Sequence, residues 1–124
     1  MEDKIKQLQL EMTQENLWKC IILLQGEQFF TVSGLPFRYT LKKGKNGEYT
    51  KELWVDRRKD SKSLAWGSFK RAFNKVCEQQ EIKFFERPKA LGDIRGVSYI
   101  YPIFYRLGII EVPEKFKEYL KARK

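Results

Sequence analysis

The chain has 124 residues, 42% of them hydrophobic and 15% aromatic, enough to bury a proper core in a single domain. It contains no histidine, which removes Ser-His-Asp and Cys-His nucleophile systems and histidine-based zinc sites. Net charge is +9, and residues 36–75 carry twelve Lys and Arg against four acids, a local excess of eight that has the footprint of a polyanion site or of a solvated, solubilising face.

From the N-terminus, Ile5, Leu8 and Met12 mark a short amphipathic helix. Thr13 is placed to cap a second helix carrying Leu17, Trp18, Ile21, Ile22 and Leu24, and Gly26 to end it. These helices are expected to cover one face of a sheet, or else to form a dimer face. The longest apolar run, Cys20 to Leu24, is five residues, far short of the ~20 of a membrane span. Met1-Glu2-Asp3-Lys4 lacks the apolar segment of a signal peptide. Cys20 and Cys77 have no metal-type spacing and read as reduced, unreactive thiols of a cytoplasmic protein.

Phe29-Phe30-Thr31-Val32 reads as a short strand, and Ser33-Gly34-Leu35-Pro36 as a turn into the next. Phe37 to Lys42 alternates apolar and polar, and Tyr49, Leu53 and Val55 continue the alternation beyond Gly44-Lys45-Asn46-Gly47. A two-residue Asn-Gly turn would set Phe37 opposite Asp56 and mix the faces. A three-residue loop, Lys45-Asn46-Gly47 with Gly47 left-handed, sets Phe37 opposite Val55 and Tyr39 opposite Leu53, so burial selects it. Arg38 then faces Trp54, a cation–π pair on the other side of the hairpin. That indole either offers a stacking platform to a base or packs under the N-terminal helices with Arg38 along its edge.

Asp56-Arg57-Arg58-Lys59-Asp60 ends the second strand. Ser61 or Ser63 is placed to cap a helix from Leu64 to about Glu78, with Ala65, Phe69, Ala72, Phe73 and Val76 inward and Lys62, Lys70, Arg71 and Lys75 near the cap or off that stripe. Gly67 weakens this helix and hints at close packing. Ile82-Lys83-Phe84-Phe85 is a candidate fourth strand. Ser98 is placed to cap a helix with Pro102 in its first turn and Ile100, Ile103, Phe104 and Leu107 as the core stripe. Gly108 ends it, Ile109 to Val112 returns as a strand, and Pro113 opens a last helix through Phe116 and Leu120.

Two resemblances are carried by particular residues. Gly96 to Glu111, with its Ser-capped helix running through Leu107-Gly108-Ile109-Ile110 into a strand, is similar to the second half of a winged-helix reader. That implies a helix offering Tyr99, Pro102 and Arg106 to a major groove. A wider set spans roughly residues 24–110. It comprises Gly26-Glu27 with Phe29 and Thr31, Gly34-Leu35-Pro36-Phe37 with Tyr39, Lys62-Ser63, Pro88-Lys89 with Leu91-Gly92, and Ser98-Tyr99 with Tyr101-Pro102, Phe104 and Arg106-Leu107-Gly108. Through these the chain resembles a family of short bacterial proteins without an established activity, which implies a discrete domain. Arg87 stands where that family would have Gly.

No glycine-rich phosphate loop or dinucleotide fingerprint is present. Glu81-Ile82-Lys83 spells the acid-x-Lys of a magnesium-dependent nuclease, with Asp56 as the second acid, though a whole helix separates the two strands. The expectation is therefore an α+β fold in one domain, residues 1–124. A small antiparallel sheet of three to five short strands is built on a β-hairpin (residues 29–57). It packs with N-terminal helices (1–25), a central amphipathic helix (62–80) and a C-terminal helix-strand-helix unit (98–124). The expected function is non-enzymatic DNA or RNA binding through Arg38, Lys42, Trp54, Arg57, Arg58, Lys59, Lys62, Lys70 and Arg71, with no catalytic residue, metal or cofactor. The alternative is a protein-interaction or homodimerisation module; no membrane partner is expected.

Overall fold

The computed structural model describes residues 2–56, 61–79 and 83–120. The chain is an α+β domain. Two helices, α1 (Glu2–Leu10) and α2 (Gln14–Leu23), precede strands β1 (Phe29–Phe30), β2 (Pro36–Lys43), β3 (Tyr49–Asp56) and β4 (Ser61–Ala65). Helix α3 (Trp66–Glu78), a 3₁₀ turn (Pro88–Leu91), α4 (Val97–Arg106) and α5 (Glu114–Leu120) follow. The strands form one antiparallel sheet in chain order, β1-β2-β3-β4.

The hairpin closes through the expected loop. Gly44 N–H donates to Glu48 O at 2.7 Å, Gly47 N–H donates to Gly44 O at 3.0 Å, and Gly47 takes φ +81°. Lys43 lies opposite Tyr49 as that loop requires, but Tyr39 then meets Val55 and Leu41 meets Leu53. Between the pairs Leu41/Leu53 and Lys43/Tyr49, residues 50–52 of β3 oppose the single residue Lys42. This irregularity moves the pairing by two residues from the expected register. An even shift keeps every side chain on its face, so Phe37, Tyr39, Leu41, Leu53 and Val55 are still buried together.

Strand β4 lies where the residue pattern places the start of a helix. Ser61 and Ser63 do not start the helix: they lie in a strand paired to β3, Leu64 opposite Leu53 and Ser63 opposite Trp54. Burying Leu64 against the sheet outweighs the local preference of serine for a helix start. Helix α3 begins two residues later than expected, at Trp66, with no side-chain cap. Its inward stripe is Trp66, Phe69, Ala72, Phe73 and Val76; Ala65 points outward instead. Gly67 has open space where a Cβ would stand, so close packing does not explain it. The candidate strand at residues 82–85 reduces, within the described residues, to one parallel bridge between Phe84 and Glu111.

Thr13 caps α2, its hydroxyl accepting from Asn16 N–H at 3.1 Å. Helix α4 is N-capped by Gly96 at φ +81°, not by Ser98, which is its second residue. Pro102 is accordingly the sixth residue, inside the helix rather than in its first turn. The end of α4 is a Schellman motif: Gly108 N–H reaches Tyr105 O at 2.9 Å and Ile109 N–H reaches Phe104 O at 3.2 Å. Arg87 sits at φ −163°, an extended backbone that any residue adopts, so a glycine is not needed there.

Helix α3, the 3₁₀ turn and α4 pack together, and their buried side chains share one core with the inner face of the sheet and the two N-terminal helices. The free edge of β2 is closed by the loop after α2. Gly26 N–H donates to Tyr39 O at 3.0 Å, and the Gln25 side-chain oxygen accepts from Leu41 N–H at 2.8 Å, standing in for a neighbouring strand.

Candidate nucleic-acid interface

Strand pleating sorts β2, β3 and β4 into two faces. Tyr39, Leu41, Leu53, Val55 and Leu64 face the core. The other side presents three cross-strand rows: Arg38–Asp56, Thr40–Trp54–Ser63 and Glu52–Ala65. Arg38, Thr40, Glu52, Asp56, Ser63 and Ala65 are exposed there, and Trp54 is half-buried.

Trp54 is the centre of this surface. Thr40 and Ser63, short side chains, lie directly across from it on either strand, so the indole has low walls on both sides. Lys42 places its ammonium 4.0 Å from the centre of the ring. The expected partner, Arg38, lies elsewhere. The two-residue register shift sets it opposite Asp56, and its guanidinium donates to Gly26 O at the sheet edge. The alternative, an indole packed under the N-terminal helices, fails because those helices lie on the core side. The Trp54 N–H is buried without a hydrogen-bond partner among the described residues, a donor whose satisfaction is worth ~1–3 kcal/mol.

The other expected contacts divide. Lys62 lies opposite Val55, on the inner-face side of β4. Lys70 and Arg71 are exposed on the outward side of α3, whose inner stripe packs in the core. They share no surface with Arg38, Lys42 and Trp54. Arg57, Arg58 and Lys59 lie outside the described residues. The described cations among the expected contacts are thus spread over two layers. Among the described residues of the open face, Arg38 and Lys42 are matched by Glu52 and Asp56, two carboxylates that alternation along β3 places there and that charge counting by segment hides.

Lys51, in the irregular stretch of β3, turns to the core side. It stands over the Trp18 ring at 4.6 Å and the Trp66 ring at 5.3 Å, while those two rings meet edge to face at 5.0 Å.

The winged-helix reading of α4 does not survive its packing. Pro102 is buried and Tyr99 packs edge-on against Phe37 at 5.0 Å. Arg106 lies over the Phe29 ring at 4.6 Å, donates to Gln28 O at 2.8 Å and pairs with Glu27 at 3.9 Å. Burial pulls its guanidinium below the usual range, with Glu27 opposing. All three residues hold the fold and none is offered to a groove.

Of the nuclease constellation, only Asp56 and Lys83 are among the described residues. The Lys83 ammonium donates to Val76 O at 3.0 Å and Gln79 O at 2.7 Å, capping the C-terminus of α3, and Glu81 lies outside the described residues. Cys20 is buried and Cys77 exposed; both are free, and desolvation raises both thiols, with Lys4 and Lys83 respectively opposing. No described helix is long and apolar enough to cross a membrane.

Fold and face together define a small α+β domain whose antiparallel sheet is covered on one side and open on the other. No protein-family model, curated protein or solved structure matches the chain.

Proposed function

We propose that the chain is a non-enzymatic nucleic-acid-binding domain, acting in the cytoplasm, that binds through the open face of its sheet. The observation that carries this reading is the Trp54 ring on a solvent-facing sheet surface with the Lys42 ammonium 4.0 Å above it. An exposed ammonium–ring contact is worth roughly 0.5–1 kcal/mol. A base stacked on an aromatic side chain is worth roughly 1–3 kcal/mol. Exchanging the first for the second is favourable, and the released ammonium becomes available to a phosphate. Arg38 keeps further donors for a second phosphate, since a guanidinium has five N–H groups and Gly26 O takes one donor nitrogen. The basic run Arg57-Arg58-Lys59 follows Asp56 directly in the chain.

Titration of labelled oligonucleotides at ~50 mM and higher salt tests the proposal, because each phosphate neutralised contributes about −0.7 to −0.9 to the slope of log affinity on log salt. Replacing Arg57, Arg58 and Lys59 by Ala should make that slope shallower. Absence of binding at ~50 mM salt rejects the reading.

A second reading, a protein-interaction or homodimer module, has one specific observation behind it. A groove of about 500 Å³ is lined by Met12, Phe84, Ile109 and Ile110 with Gln9, Lys83 and Glu111. Phe84 is 50% exposed at its wall, and Leu10, next to Gln9 in the chain, is 89% exposed. Light scattering at two protein concentrations decides whether copies associate.

A further inference from the structure

We infer that the open face takes single-stranded rather than duplex nucleic acid, seating one base on Trp54 as Lys42 moves off the ring to meet a flanking phosphate. The inference rests on the nucleic-acid reading and adds the form of the ligand. Its ground is the arrangement of charge around the indole. A duplex docked on a flat sheet brings two phosphate rails against it and needs cations under both. Here the row ending in Arg38 places Asp56 beside it, and Glu52 is two residues from Trp54 on the same face of β3. Among the described residues of the face, Arg38 and Lys42 are therefore matched in number by carboxylates, and a second rail over those residues would run across Glu52 or Asp56. A single strand has one backbone, which can follow the β2 side where both cations lie, and it presents unpaired bases to an aromatic ring. The walls also suit a base: Thr40 and Ser63 flank the indole across both strands with short, hydroxyl-bearing side chains, so the space that Lys42 gives up over the ring is not closed by its cross-strand neighbours.

The test uses the full chain and four fluorescein-labelled probes of about 12 nucleotides, within the range of known single-strand sites: single-stranded DNA, single-stranded RNA, and a blunt duplex of each. The expected result is that at least one single strand binds roughly tenfold or more tighter than its duplex. Trp54→Leu should weaken that binding by roughly five- to a hundred-fold, and Trp54→Phe, which keeps a ring, by much less. Because Trp54→Leu exchanges a half-buried side chain, Lys42→Gln provides a second variant at an exposed position. It should lower the salt slope on the single strand by about 0.7. Lys70→Gln, on the outward side of α3, should change neither value. Equal binding of strand and duplex, or a folded Trp54→Leu chain that binds like the parent, overturns this inference and leaves the nucleic-acid reading standing. Binding to none of the four probes overturns that reading itself.

Discussion

Two phenols do the work of backbone partners. The Tyr39 hydroxyl donates to Ile21 O at 2.6 Å, a carbonyl in the last turn of α2 that has no partner within the helix. The Tyr101 hydroxyl donates to Phe85 O in the same way. Burial holds both phenols above their ordinary value, as it does the Cys20 thiol. A group whose folded pKa is raised leaves stability intact below its unfolded value and removes it as pH climbs past that value. Denaturant midpoints should therefore be level up to about pH 8 and fall through about pH 9–11, as first the thiol and then the phenols of the unfolded chain ionise. Tyr39→Phe should cost about 1–3 kcal/mol at pH 7, through the stranded carbonyl of Ile21, and should lose less stability than the parent between pH 9 and 11. A parallel alkaline decline in parent and variant would show that Tyr39 is not the titrating group. At Trp54 the sign reverses. Trp54→Phe deletes a buried donor without a partner, so its midpoint should match or exceed that of the parent while Trp54→Leu falls below it.

Local signals predicted an element well where its ends were set by backbone chemistry. Gly47 and Gly108 occupy the left-handed positions that the hairpin loop and the helix stop require, and both stood where the residue pattern put them. Register and β4 were illegible for one shared reason: each is decided by a partner strand. The extra residues of β3 opposite Lys42 have no composition signature, and Ser61-Lys62-Ser63-Leu64-Ala65 looks like a helix cap until β3 is beside it. The candidate site inherited this. Trp54 and the two carboxylates on its strand were legible by alternation, but which cation of β2 meets the indole depends on the shift of two. Gly96 shows the same dependence in reverse. A Cβ there would stand 2.1 Å from Leu64 Cδ1, at φ +81°, so the start of α4 can approach β4 only as glycine. Gly96→Ala should cost about 2–4 kcal/mol, from backbone strain and a displaced core leucine together. Gly67→Ala meets open space in the first turn of α3 and should be neutral or stabilising by up to ~1 kcal/mol. Thermal unfolding of the two variants compares them directly, and equal midpoints would contradict the packing described at Leu64.

For the molecule as a whole, layering changes what the charge means. A run of 40 residues with a net +8 suggests one electropositive surface, yet β-strands send alternate side chains to opposite sides and α3 carries its cations on a separate layer. Arg38 and Lys42 face one way, Lys51 is turned in over Trp18 and Trp66, and Lys70 and Arg71 lie beyond the core. Such a distribution gives little local focusing but leaves the full +9 repelling itself through the fold. Among the described residues the ion pairs that oppose it include Lys19–Glu15 at 3.7 Å, Arg106–Glu27 at 3.9 Å and Lys117–Glu114 at 2.8 Å, each with an exposed partner. Exposed pairs add little to stability and weaken with salt. The repulsion is longer in range, and the Debye length falls from about 30 Å at 0.01 M to about 10 Å at 0.1 M, so salt removes more repulsion than attraction. The melting temperature of the free protein should therefore rise with sodium chloride between about 10 and 200 mM, while oligonucleotide binding weakens over the same range. A melting temperature that falls as chloride is added would mean that short-range pairing outweighs the net charge, and the dispersed-charge description would have to be given up.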